Sequence, residues 1–144
     1  MTDAVIRPAR ADEVEQILAI WRVSEATSSP TDNRHEVEKL LAAHHAVLLV
    51  AEADGRLAGT VIGAWDGWRG NIYRLAVAPD YRRRGIARLL VAEADRALHR
   101  MGARRITALV ESDHPWATDF WDSLAPAGYR HDERMRRYVK SMKA

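Results

Sequence analysis

The sequence predicts a single α/β domain over residues 1–144, with four helices flanking a mixed sheet of six or seven strands. Strand-like and helix-like apolar patterns alternate along the chain without a linker or an internal repeat. Hydrophobic residues make up 47% of the chain and charged residues 29%, which is typical of a globular protein. A chain of 144 residues can bury a core without a metal or disulfide. It has no cysteine, which excludes disulfides, thiolate metal sites and an acyl-cysteine intermediate.

The elements of the first third follow from apolar spacing. Residues 4–7 form a short β-like segment, and Asp12 with Glu15 has the spacing of a capping box that starts a helix. The helix has apolar residues at the i, i+3, i+4, i+7 spacing of one face: Val14, Ile17, Leu18 and Trp21. The polar segment 27–33 is predicted as a loop, and residues 34–45 as a second helix.

The central elements are three predicted strands. Residues 46–53 and 56–65 are apolar runs joined by Asp54-Gly55, a dipeptide typical of tight hairpins. A polar turn over residues 66–70 leads to a third strand over residues 71–78. This pattern predicts a hairpin of the first two strands, followed by a third strand.

The last third contains two more helices. A long amphipathic helix is predicted from Gly85 to Met101, with Gly102 as its C-terminal stop. A strand follows over residues 104–110, and Pro115 marks the start of the fourth helix. A charged β-like stretch over residues 128–140 supplies the final one or two strands.

The charge balance restricts the classes of partner. The net charge is +2, and the chain has only three lysines, so most of the positive charge is arginine. This charge is too small to indicate nucleic-acid binding, but arginine suits an anionic ligand. The first eight residues lack the apolar region of a signal peptide, and the apolar run 46–51 is too short to cross a bilayer. We expect a cytoplasmic protein without a membrane partner.

The segment from residue 75 to residue 87 is the most informative. A strand ends and a glycine-containing loop leads directly into a helix, whose first amides and positive dipole end favour a phosphate or pyrophosphate. Arginines at a helix N-terminus are unfavourable by about 0.3–1 kcal/mol each, and here Arg82, Arg83 and Arg84 are consecutive. Because a bound polyanion would reverse that effect, the cluster indicates a functional site.

This segment resembles the acyl-CoA signature of the GNAT superfamily of N-acetyltransferases. Arg82-x-x-Gly85-x-Ala87 follows its pattern, Q/R-x-x-G-x-G/A, and Leu75-Ala76-Val77-x-Pro79 precedes it as in that superfamily. The pattern is neither a Walker A loop nor a G-x-G-x-x-G dinucleotide loop. The order of the other elements agrees, so the resemblance covers essentially the whole chain.

The resemblance implies a mostly antiparallel sheet that is splayed at the cofactor-binding strand, and acetyl-CoA as co-substrate. The backbone of residues 75–77 would pair with the pantetheine arm, and the amides of residues 82–87 would hold the pyrophosphate. The implied cofactor-binding residues are Leu75, Ala76, Val77, Arg82, Arg83, Arg84, Gly85, Ile86, Ala87, Arg88, His114 and Trp121.

The implied reaction is direct transfer of the acetyl group to a primary amine of a small molecule, in a ternary complex without an acyl-enzyme. The acceptor would lie near residues 72–75, with the early helices as a lid. Its implied wall residues are Trp21, Trp65, Trp68 and Tyr73. If the loop 27–33 folds over the acceptor channel, a small acceptor is favoured, whereas an open groove favours a peptide. Relatives are often dimers, which makes a homodimer a further implied partner.

The sequence departs from the superfamily at its proton-transfer positions. Many relatives have a general-acid tyrosine where this chain has Trp121, whose indole cannot act as an acid. The positions of the base in relatives are Asn71 and Leu109 here, so Glu111 acting through water is the substitute candidate. His114 stands where relatives often have an asparagine. The six histidines lack metal-ligand spacing, so no metal is expected.

Other functions remain open from the sequence alone. A peptide or protein N-acetyltransferase would use the same fold. Loss of the general acid and base suits a non-catalytic acyl-CoA sensor. A nucleic-acid binder would use the arginine cluster, and its affinity would fall steeply with salt.

Overall fold

The computed structural model describes residues 3–24 and 26–143. The chain divides into two compact units, Met1–Ala108 and Leu109–Ala144. Among the described residues, no helix is both long enough and apolar enough to cross a membrane.

The first unit is built on one sheet with the strand order β1-β2-β3-β4-β5. Neighbouring strands are antiparallel, except that β5 runs parallel to β4. The strands are β1 Val5–Pro8, β2 Ala46–Ala53, β3 Arg56–Trp65, β4 Gly70–Val77 and β5 Ile106–Ala108. The predicted hairpin of β2 and β3 is therefore present, joined at Asp54-Gly55 as expected, and β4 follows antiparallel to β3.

Four α-helices occur in the described residues, each near its predicted position: α1 Val14–Val23, α2 Arg34–Ala42, α3 Ile86–Met101 and α4 Pro115–Asp122. The start of α1 differs from the predicted Asp12 and Glu15 capping box, because Glu13 is the residue that accepts the Arg10 N–H, at 2.8 Å. The second helix ends three residues earlier than predicted, because Ala43 adopts an extended backbone (ψ 133°).

Helices cover both faces of the sheet in the first unit. On one face, α1 and α2 bury a cluster that includes Ile17, Trp21, Val37 and Val50. On the other face lies α3, whose Leu90 and Leu98 are fully buried. The apolar spacing of α3 therefore serves to attach this helix to the sheet, and the same attachment holds its N-terminus beside the end of β4.

The prediction of six or seven strands is wrong, because the described residues form five. Residues 130–143 form neither helix nor strand. Their side chains are exposed except for the half-buried Asp132, and Tyr138 is 90% accessible. The alternation of charged and apolar residues in this segment resembles a strand, but a strand needs a hydrogen-bonding partner and a buried face, and this segment has no buried face.

A buried ion pair connects β1 to the start of α1. Glu13 is 3% exposed and accepts hydrogen bonds from Arg7 Nη1 at 2.9 Å and Arg7 Nη2 at 2.7 Å. The Arg7 guanidinium also contacts Glu52 of β2 at 2.9 Å. Hydrogen bonding to Arg7, against the opposing effect of burial, holds the pKa of Glu13 below its usual 4.5.

We expect Glu13→Gln to lower the free energy of unfolding at pH 7 by about 2 kcal/mol, because it removes a buried partner of Arg7. A lowered pKa in the folded state stabilises the fold above pH 4.5, and that stabilisation is lost as the pH falls through the folded-state pKa. The variant should therefore lose less stability on acidification than the wild type. Urea unfolding between pH 3 and pH 7 measures both effects.

Glu15→Gln is the matched control, because Glu15 is 63% exposed and its ion pair with Arg34 lies at the surface. Its stability should stay within about 0.5 kcal/mol of the wild type. Equal losses in the two variants would contradict the assignment of the buried pair.

Candidate functional site

The loop between β4 and α3 contains two left-handed residues. After a 3-10 turn over Pro79–Tyr81, Arg83 has φ +65° and Gly85 has φ +81°. The chain then enters α3 at Ile86. Successive amides in such alternating conformations point toward one concave side, which is how backbone N–H groups make an anion site.

Gly85 leaves the start of α3 open. It is the residue before the helix and supplies no side-chain cap. A Cβ built on Gly85 would meet no atom within 4 Å, so the positive φ favours glycine there and neighbouring packing does not require it. First-turn amides have no acceptor within their own helix, and no acidic residue occurs in the first turn of α3. The backbone amides of residues 82–87 form an open concave surface, which we call the anion cradle. It fits an anion such as a diphosphate.

The arginines of this loop do different things. Arg82 is half-buried, and its Nε donates to the carbonyl oxygen of Val77 at 3.3 Å, which ties the loop to the end of β4. Arg84 is exposed, with Nη1 3.3 Å from Asp54 Oδ2 and its guanidinium 5.1 Å from the Tyr81 ring centre. Arg83 and Arg88 are also exposed. Three of the four guanidinium groups thus lie at the surface around the helix start.

The backbone of β4 is half-paired over the predicted pantetheine segment. Pairing with β5 covers Gly70 to Ile72 only, whereas pairing with β3 continues to Val77. Within the described chain, no strand pairs with residues 73–77 on the β5 side. This edge can accept an extended ligand as an added strand, in agreement with the expected splay.

A bulge marks the point where β4 and β5 part. Thr60 pairs with Ala76 and Ile62 pairs with Tyr73, so β4 has one residue more than β3 between these pairs. Arg74 lies there with φ +53°. A bulge of this kind bends a strand and redirects its side chains.

Buried hydrogen bonds fix the bulge from the side of β3 and α1. Trp21 Nε1 donates to Thr60 Oγ1 at 2.9 Å, and Thr60 Oγ1 donates to the carbonyl oxygen of Arg74 at 2.9 Å. Thr60 is fully buried. Sequence analysis missed Thr60 and Arg74, since nothing in the local pattern shows that a hydroxyl on one strand holds the backbone of the next.

The segment 27–33 is held against this bulge. Asp32 accepts from Arg74 Nη2 at 2.6 Å, and both side chains are only 18% exposed. The Arg74 guanidinium carbon lies 5.2 Å from the Trp21 ring centre. The carbonyl oxygen of Thr27 accepts from the same nitrogen at 3.2 Å. The expected loop therefore covers β4 at residue 74.

The structure does not bring the four predicted wall residues together. Trp21 lies beside the bulge, and Tyr73, 37% exposed, is next to Arg74. Trp65 pairs with Gly70 at the opposite end of β4, roughly 23 Å from Val77 for seven strand steps. Trp68 is 70% exposed in the adjoining turn. Trp65 and Trp68 are thus far along the strand from the cofactor segment.

The second unit contains the other predicted residues. Glu111 Oε2 lies 2.8 Å from His114 Nε2, so the candidate base and the residue at the asparagine position are in direct contact. One side-chain oxygen or nitrogen from each of Glu111, Asp113 and His114 could ligate a metal ion, and these three atoms lie within 4.8 Å of one another. Trp121 is half-buried in α4, with ring centres 5.7 Å from Phe120 and 5.1 Å from Tyr129, both edge-on.

Comparisons with known proteins agree with the geometry. Residues 14–125 match the family model of the acetyltransferase (GNAT) family. An acetyltransferase of Photorhabdus laumondii is 34% identical over 109 residues, 76% of each chain. An acetyltransferase of Sodalis glossinidius is 32% identical over 119 residues, 83% of this chain and 84% of the relative.

A solved structure shows the same fold at low identity. The aminoglycoside N-acetyltransferase AAC(6')-Iy, in complex with the bisubstrate analog CoA-S-monomethyl-acetylneamine, superposes with a TM-score of 0.76. It is 19% identical, and the match covers 98% of this chain and 100% of that one. By its sequence matches and its fold, this chain belongs to the GNAT family of acetyltransferases.

Proposed function

We propose that this acetyltransferase moves the acetyl group of acetyl-CoA to a primary amine of a small molecule, in a ternary complex without an acyl-enzyme. The observation that carries the proposal is the juxtaposition of the anion cradle at Gly85 with the open edge of β4 at residues 73–77. A diphosphate and an extended pantetheine arm need these two features side by side.

Backbone groups make the main contacts with the co-substrate in this proposal. The amides of residues 82–87 hold the diphosphate, exposed Arg83, Arg84 and Arg88 add charge around it, and Leu75, Ala76 and Val77 hold the pantetheine arm. Acetyl-CoA supplies an activated acetyl thioester. The N–H near Val77 stabilises the negative charge that develops on the carbonyl oxygen, and positioning of the two substrates supplies roughly 7–11 kcal/mol of the rate enhancement.

A small acceptor is favoured by the loop 27–33. The contact of Asp32 with Arg74 holds this loop over the bulge of β4, where an extended peptide would otherwise lie. The structural neighbour AAC(6')-Iy, an aminoglycoside N-acetyltransferase solved with the bisubstrate analog CoA-S-monomethyl-acetylneamine, provides a parallel for a small acceptor. A homodimer and a cytoplasmic location stay predictions.

The test is release of CoA thiol from acetyl-CoA in the presence of single amines: an aminoglycoside, a polyamine, an amino-acid amide and a lysine-containing peptide. We expect thiol release with at least one small amine, above the rate without amine. Release with the peptide alone would assign the peptide transferase. CoA binding without release on any amine would assign the acyl-CoA sensor.

The groups proposed for proton transfer, Glu111 and the residue at the general-acid position, belong to the second unit. Glu111 is the proposed base, acting through water, and its contact with His114 offers a second group through which the proton can move. Trp121 occupies the general-acid position, so CoA leaves as a thiolate. A free thiol has a pKa of about 8.5, which makes its thiolate a tolerable leaving group without an acid.

We expect Trp121→Tyr to leave kcat unchanged or to raise it up to about tenfold, because a phenol at this position can protonate the thiolate. The pH profile of kcat should gain a limb at alkaline pH. Phe120→Tyr adds the same phenol one position earlier on α4 and should change neither. A fall in kcat beyond about tenfold in Trp121→Tyr would show that the indole has its own role.

A further inference from the structure

Three oxygen acceptors and one aromatic ring surround the Arg74 guanidinium. Its three oxygen acceptors are Asp32 Oδ1 at 2.7 Å, Asp32 Oδ2 at 2.6 Å and the Thr27 carbonyl oxygen at 3.2 Å, and all of them bind one nitrogen, Arg74 Nη2. The Trp21 ring lies 5.2 Å from the guanidinium carbon. A carboxylate, a carbonyl and an aromatic face are the groups that stabilise an ammonium.

The contact geometry suits an ammonium better than a guanidinium. An arginine paired with a carboxylate usually uses two nitrogens in a fork. Here a single nitrogen makes all three contacts. A primary ammonium carries three donors on one nitrogen, which matches three acceptors converging on one point.

Hydrogen bonds within its own loop orient the Asp32 carboxylate independently of Arg74. The backbone N–H of Ser29 donates to Asp32 Oδ2 at 3.0 Å, and the Asp32 N–H donates to the Ser29 carbonyl oxygen at 3.0 Å. The carboxylate therefore keeps its direction within its own loop when Arg74 moves away. A site with a preset carboxylate can exchange one cation for another.

A cavity gives access to the same carboxylate. It has a volume of about 130 Å³ and is lined by Leu18, Trp21, Arg22, Ala26, Ser28 and Asp32. At roughly 30 Å³ per water, it has room for an aminoalkyl arm of a few heavy atoms. Arg22 in its lining repels a cation, and the Asp32 carboxylate is the lining group that offsets this repulsion.

We propose that the acceptor is a di- or polyamine, such as a polyamine or a multiply aminated sugar, whose non-reacting ammonium displaces Arg74 from Asp32. This inference rests on the proposed function and names its substrate class. Arg74 precedes Val77 by three residues on β4, so an acceptor with one amino group on Asp32 can direct another toward the Val77 amide.

The test is calorimetric titration of the full chain, saturated with CoA, with spermidine and with n-butylamine as the monoamine control. Asp32→Asn should weaken spermidine binding at least tenfold. Arg74→Gly should tighten it severalfold, because the internal competitor is removed and glycine adopts the left-handed backbone at this position. n-Butylamine has a single amino group and should bind the wild type more weakly than spermidine does.

Arg69→Gly is the matched control, since it also removes an arginine that lies over a tryptophan, Trp68, at 4.1 Å. It should leave spermidine binding unchanged. Unchanged binding in Asp32→Asn, or a loss in Arg74→Gly as large as that in Asp32→Asn, overturns the ammonium site. CoA affinity is measured separately for each variant, so failure to bind CoA counts against the proposed function and not against this site.

Discussion

Gly85→Glu is expected to weaken CoA binding at least about 100-fold while the protein stays folded. The new carboxylate would project from the residue that precedes the first turn of α3, into space that is open within 4 Å. It would take the place of the diphosphate on the same amides and repel it. Because φ is +81° at this position, the substitution also costs about 1–2 kcal/mol of stability.

Calorimetric titration with CoA and thermal unfolding separate the two effects. Gly67→Glu is the matched control, because Gly67 also has a positive φ (+93°) and open space around it, but lies in the turn between β3 and β4. It should lose similar stability and keep its CoA affinity. Gly85→Ala, which adds strain without charge, should fall between the two. Unchanged CoA affinity in Gly85→Glu would falsify the assignment of the cradle.

Gly59→Ala is expected to destabilise the protein by about 1–3 kcal/mol and to weaken CoA binding. A Cβ on Gly59 would lie 2.8 Å from the carbonyl oxygen of Ala76 and 3.1 Å from Leu90 Cδ1. Since that oxygen belongs to the backbone, β4 must move to accommodate it. The displaced segment is the proposed pantetheine edge, so stability and binding should fall together.

Gly63→Ala on the same strand is the control for this substitution. Its Cβ would come no closer than 3.4 Å to Leu98 and Val47 side chains, which is ordinary contact. Urea unfolding and CoA titration should give values near the wild type. Equal effects at the two glycines would show that close approach to the Ala76 carbonyl is not the cause.

The glycine-containing loop that leads into α3 was predictable because it depends on neighbouring residues. Gly85, the arginines before it and the apolar spacing of α3 all lie within one short stretch, and their physical roles are local. The hairpin at Asp54-Gly55 was predictable for the same reason. Local chemistry fixes a turn or a helix start wherever the rest of the chain permits it.

The bulge and its contacts could not be derived in this way. Arg74 adopts its conformation because Thr60, fourteen residues earlier, bonds its carbonyl oxygen, and its side chain meets Asp32 from a loop forty-two residues earlier. Trp65 and Trp68 precede β4 closely in sequence. Val77 is at the far end of this eight-residue strand. Proximity along the chain does not say at which end of a strand a side chain will lie.

The strands predicted at the C-terminal end were wrong for a different reason. The alternation over residues 128–140 has the period of a strand, but period alone does not supply a neighbour with free backbone groups. Exposed Met135 and Tyr138 show that the stretch lacks a buried face.

The short pairing of β4 with β5 has a consequence for the tendency of the protein to self-associate. Backbone left open to receive a ligand is equally open to a neighbouring polypeptide, and such edges promote association between chains. Ligand at about 100 times its dissociation constant adds about 2.7 kcal/mol of stability. If the coenzyme binds along this edge as proposed, protein purified without it should be the form most prone to self-association.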